Sequence, residues 1–129
     1  MSRNVWYEQP HWTSRLIAEE ALMQEMVPSF QLFKSDDGVL KWRGVLSPTG
    51  YTEYLVSVTY PPTYPYREPT LRVEVPALAA AAPHVYADGS LCTHRTNWDV
   101  QRATAVGEVG LVAAWLVAYE TWLRTGEVF

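Results

Sequence analysis

With one cysteine in 129 residues the chain can form no internal disulfide, which leaves Cys92 as either core filler or chemistry. A free cysteine usually packs as a small hydrophobe, so only its surroundings can argue for more. Clustered positive charge is also lacking: 10 Lys and Arg are scattered against 14 Asp and Glu, giving a net charge of -4 and no basic stripe to follow a phosphate backbone. Nucleic acid is not expected as a partner. No glycine-rich phosphate loop is present, so the chain is not expected to adenylate a carboxylate by itself. Glu8, Glu19, Glu20 and Glu25 occupy the region where a secretory signal would carry a basic start and an apolar run. The most apolar stretch, Val109 to Tyr119, lies between Glu108 and Glu120 and is too short to cross a bilayer, so no membrane is expected. With one cysteine, a reducing cytoplasm is the expected compartment.

What is present suits one globular domain over residues 1–129, with 48% hydrophobic residues to build its core. Thr13 or Ser14 can cap a first helix carrying Leu16, Ile17, Met23, Met26 and Val27, with Trp12 stapling its start and Pro28 ending it. Four runs rich in β-branched and aromatic residues follow: Phe30 to Phe33, Val39 to Leu46, Tyr51 to Tyr60 and Thr70 to Val75. Asp37-Gly38, Ser47-Pro48-Thr49-Gly50 and the proline-rich stretch from Tyr60 to Tyr66 separate them with turn chemistry. Strands so close in sequence predict an antiparallel meander. The alanine-biased segment Ala77 to Ala82 reads as a spacer. A last helix carries Val112, Trp115, Leu116, Tyr119, Trp122 and Leu123 at three- and four-residue spacing and stops at Gly126. The expected fold class is α+β, with a helix, four strands, an irregular segment holding Cys92, and a second helix.

The order of motifs resembles the ubiquitin-conjugating enzymes and their bacterial relatives. Tyr64-Pro65-Tyr66-Arg67-Glu68-Pro69 looks like the family's Tyr-Pro-Phe-x-x-Pro turn after the third strand. Pro83-His84, then Asp88-Gly89-Ser90-Leu91-Cys92, is similar to its histidine loop followed by Gly-x-Ile/Leu-Cys, and Trp98 resembles the tryptophan of the next loop. The chain departs from the family where His-Pro-Asn would stand, since it reads His84-Val85-Tyr86. Trp115-Leu116, Tyr119-Glu120-x-Trp122 and Thr125-Gly126 look most like the bacterial branch associated with cyclic-oligonucleotide antiphage signalling (CBASS) operons.

The resemblance implies that Cys92 forms a thioester with the activated carboxyl terminus of a partner protein and passes the acyl group to an amine. The implied donor is a ubiquitin-like protein or a CD-NTase-type nucleotidyltransferase, with a separate activating enzyme where ATP is needed. No cofactor and no metal are implied. A free thiol has a pKa of about 8.5, so nearby positive charge helps it act as a thiolate. His94, Arg95 and, from the other side, His84 are the candidates for that help. Asn97, Thr93 or Tyr86 can stand in for the missing asparagine as oxyanion donor.

Three other readings compete. A cysteine peptidase would need a distant histidine, and only His11 qualifies. A zinc site built from His84, Cys92 and His94 lacks a fourth ligand. A binding module on the same fold would use Cys92 only for packing.

Overall fold

The computed structural model describes residues 5–93 and 98–129. A 3-10 turn at Trp6–Glu8 leads into helix α1, Pro10–Met26. Strands β1, Gln31–Lys34, β2, Leu40–Leu46, β3, Tyr54–Thr59, and β4, Thr70–Val75, follow, and helix α2, Ala105–Thr125, closes the order. The strands form one sheet in the order β1-β2-β3-β4, antiparallel throughout, as the short turn-forming connections predict.

Helix α1 starts earlier than the capping residues suggested. Pro10 takes a first-turn position after an extended Gln9, where its missing N–H costs nothing and its fixed φ already suits a helix. Thr13 therefore lies inside the helix, and its hydroxyl donates to Tyr7 O at 2.6 Å. Trp12 does not staple the helix start; its ring meets Tyr66 edge-on, 5.7 Å between centroids. The buried face also differs from the apolar residues expected there. Ile17 and Met26 are exposed, whereas Met23 and the carboxylate of Glu19 are buried.

Helix α2 is capped as its sequence predicts at one end: Gly126 sits in the left-handed region at φ 76°, with its N–H on Trp122 O. At the other end Thr104 accepts the Gly107 N–H at 3.2 Å. The helix absorbs both glutamates that bounded the apolar run, and by length and composition its 21 residues are enough to span a membrane. Its stripe of Val109, Val112, Trp115, Leu116 and Tyr119 is instead buried in the same apolar core as Trp42, Val56 and Val58 of the sheet. Glu120 accepts from the Thr49 hydroxyl at 2.5 Å, which holds the helix to the β2–β3 turn. The alanine-rich spacer belongs to this packing as well. Ala79 N–H donates to the Tyr119 hydroxyl at 2.9 Å, and Leu78, Ala79 and Ala82 pack against the core.

Candidate active site

Turn chemistry builds the site. Between β4 and α2 the chain forms a small hairpin in which Val85 bridges Leu91, Tyr86 N–H donates to Ser90 O at 2.8 Å, and Gly89 N–H donates to Tyr86 O at 2.9 Å. Gly89 takes φ 89°, a conformation that favours glycine, and a Cβ there would also lie 3.1 Å from the Arg72 guanidinium. Asp88 braces the turn by accepting Ser90 N–H at 2.9 Å and its hydroxyl at 2.6 Å. These bonds, with a smaller contribution from Arg72, hold the Asp88 carboxyl below its ordinary value. Arg72 donates to Asp88 O at 2.6 Å, and Leu91 N–H donates to Leu71 O at 2.8 Å, so the hairpin is docked on β4. Cys92 follows directly on this docked hairpin, and its N–H donates to His84 O at 2.8 Å.

Cys92 is half-buried and opens into a recess of about 20 Å³ walled by Glu68, Pro69, Tyr86, Thr93 and Glu108. Glu108, only 1% exposed, brings the first turn of α2 to the floor of that recess. A larger groove of about 500 Å³ shares the Glu68, Pro69 and Tyr86 wall and runs on to Arg67, Pro61 and Trp98. The thiol thus stands at one end of a surface channel.

The sequence-derived candidates divide sharply. Tyr86 is brought to Cys92: the cysteine side chain, through a hydrogen bond and then its charge, raises the phenol above its ordinary value. Thr93 shares the recess. His84 has φ 58°, and its imidazole is turned onto the ring of Phe129, 5.3 Å between centroids, with Nε2 on the Phe129 main-chain oxygen. Through its main-chain oxygen His84 accepts the Cys92 N–H. His94, Arg95 and Asn97 lie outside the described residues.

Phe129 also meets the Trp115 ring edge-on at 5.6 Å, so the chain after α2 clasps the strand that carries His84. Phe129→Ala is expected to cost about 1–2 kcal/mol, from lost aromatic contact. Amide hydrogen exchange at Cys92 should quicken beyond that global change as the His84 strand loosens. A Cys92 amide that tracks global stability alone would refute the clasp.

A buried network behind the site was not anticipated from the sequence. Glu19, 2% exposed, accepts Tyr60 OH at 2.9 Å and Ala105 N–H at 3.0 Å on one oxygen, and Tyr64 OH at 2.5 Å and Arg15 Nε at 3.0 Å on the other. Arg15 reaches on to Ala103 O at 2.6 Å and to Val100 O, which fixes the chain entering α2. Burial beside the Glu19 carboxylate drives the phenols of Tyr60 and Tyr64 far above their ordinary range, so both remain donors. Trp98 completes this corner, its indole N–H on Pro65 O and its ring 5.9 Å from Tyr64. The available signal was the position of Glu19 between Leu16 and Met23 on the apolar face of α1.

A helix, a four-stranded antiparallel meander, a hairpin leading to a cysteine and a closing helix define a ubiquitin-conjugating fold. Human ubiquitin-conjugating enzyme E2 G1 shares it, with a TM-score of 0.59, 20% identity and coverage of 84% of this chain and 96% of that one. The yeast vps23 UEV domain, solved with a vps27 PSDP peptide, is similar with a TM-score of 0.54, 15% identity and coverage of 88% and 83%. No curated protein matches significantly in sequence. The chain belongs to the E2-CBASS family, described as Type II CBASS E2 protein, which matches residues 19–127. An E2-like role in CBASS, and with it a protein partner, follows from that membership.

Proposed function

We propose that Cys92 accepts an acyl group from the activated carboxyl terminus of a partner protein as a thioester and transfers it to a lysine or another amine, within cytoplasmic antiphage signalling. The observation that carries this reading is the placement of the thiol: Cys92 opens into a recess at the end of a groove and is not packed in the apolar core. Thiolates are strong nucleophiles, so modest electrostatic help suffices. His94, two residues on, is the proposed source of that help. The groove of about 500 Å³ between Arg67 and Tyr86 is the proposed seat of the donor's carboxyl-terminal segment. The proposed donor is a ubiquitin-like protein or a CD-NTase-type nucleotidyltransferase, charged by a separate activating enzyme.

Co-expression with the neighbouring genes of its operon tests the proposal on denaturing gels. Wild type should give an adduct that reductant removes, Cys92→Ser a reductant-resistant ester, and Cys92→Ala none. If no adduct forms and Cys92→Ala retains partner binding and antiphage function, the transferase reading fails. A peptide-binding module would then remain, a reading favoured by the groove and by the likeness to a UEV domain described with a bound peptide.

A further inference from the structure

We propose that the Tyr86 hydroxyl is the hydrogen-bond donor to the oxyanion that forms when an amine attacks an acyl group on Cys92. This inference rests on the thioester reading above. Hairpin register supplies the geometry. Val85 bridges Leu91, Tyr86 pairs with Ser90, and Cys92 N–H bonds His84 O, so positions 86, 90 and 92 fall on one face of the ribbon. Tyr86 and Cys92 are diagonal neighbours there, a separation of about 7–8 Å that an aromatic side chain spans. Both line the recess, and Tyr86 also walls the adjoining groove.

The Ser90 hydroxyl is held by Asp88 at 2.6 Å, and the His84 ring is held by Phe129. A phenol, with an ordinary pKa of about 10, is protonated at neutral pH, as a donor must be. In the reaction the amine lone pair attacks the thioester carbon and the C–N bond forms. The carbonyl π pair moves onto oxygen, where the Tyr86 O–H meets it. The oxyanion then collapses, the C–S bond breaks, Cys92 leaves as thiolate, and the ammonium proton is lost to water. The side chain at 86 thus does what the asparagine absent from this stretch would otherwise do.

A small acyl probe makes the test independent of the natural donor. Cys92 is loaded by thiol exchange from the mercaptoethanesulfonate thioester of N-acetylglycine, and intact mass follows its aminolysis by free lysine and its hydrolysis in single turnover. Both reactions place developing negative charge on the same carbonyl oxygen. Tyr86→Phe should therefore slow both by a common factor on the order of 10- to 100-fold, while Tyr51→Phe, which trims an exposed phenol between β2 and β3, leaves them near wild type. The exposed phenol loses only an oxygen in Tyr86→Phe, so thermal unfolding should be unchanged. Equal rates for wild type and Tyr86→Phe, with wild type well above a free cysteine thioester, would overturn the role of Tyr86 alone. A wild type no faster than the free thioester would overturn the thioester reading and this inference together.

Discussion

Glu19→Ala is expected to destabilise the protein by about 3–5 kcal/mol, the usual cost of removing one partner from a buried, hydrogen-bonded charge pair. Four donors converge on this carboxylate: the phenols of Tyr60 and Tyr64, the Arg15 guanidinium and the first N–H of α2. Alanine leaves all four behind in a region with little access to water. Each unsatisfied group then carries its desolvation penalty of about 1–3 kcal/mol, more for a charged one, relieved only as far as water can enter. Domains of this kind have about 5–15 kcal/mol in all, so the variant should unfold at much lower urea. Glu19→Gln keeps one acceptor oxygen but turns an NH2 towards two of the donors, and an intermediate loss is expected. A urea midpoint for Glu19→Ala within about 1 kcal/mol of wild type would mean that the network is dispensable. Because Arg15 also holds the main chain at Val100 and Ala103, the variants should slow the proposed transfer at Cys92 more than they impede partner binding.

Gly44→Ala is expected to cost about 2–3 kcal/mol through overpacking. A Cβ at this position in β2 would fall 2.3 Å from Phe30 Cδ1 and 2.4 Å from its Cγ. Phe30 is buried, and Gly44 pairs with the fully buried Val56 on β3, so neither the ring nor the strand can yield cheaply. Shortening the obstructing ring should relieve the clash: Gly44→Ala in a Phe30→Leu background should cost less than in wild type. The double-mutant cycle by chemical unfolding measures this coupling. Additive costs would show that the ring does not oppose the new methyl group.

These two positions illustrate how differently the chain exposes its own logic. The elements were legible because their causes are local. Alternation through Leu40, Trp42 and Gly44 marks a strand with one buried face, and Asp37-Gly38 and Ser47-Pro48-Thr49-Gly50 mark the turns that make consecutive strands antiparallel. The order of the Tyr-Pro turn, the histidine, the cysteine and the tryptophan pointed to the ubiquitin-conjugating fold and its bacterial branch. Where a local rule competed with another, the reading slipped. Thr13 resembled a cap, but Pro10 is a better first helical residue, and the helix took the earlier start.

By itself, then, the sequence determined the alternation of helix and strand, the turns, the meander and the single cysteine, since each depends on residues a few positions apart. Tertiary structure alone decided which polar groups surround that cysteine and which are held elsewhere. Glu19 became a buried hub because Tyr60, Tyr64 and the start of α2, 86 positions away, close around it. The His84 ring was drawn away by Phe129, 45 positions along. Tyr86 reached Cys92 because one glycine turn sets the hairpin register and docks it on β4. Such pairings are settled by burial and by the need of every buried donor for an acceptor, neither of which leaves a periodic mark in the chain.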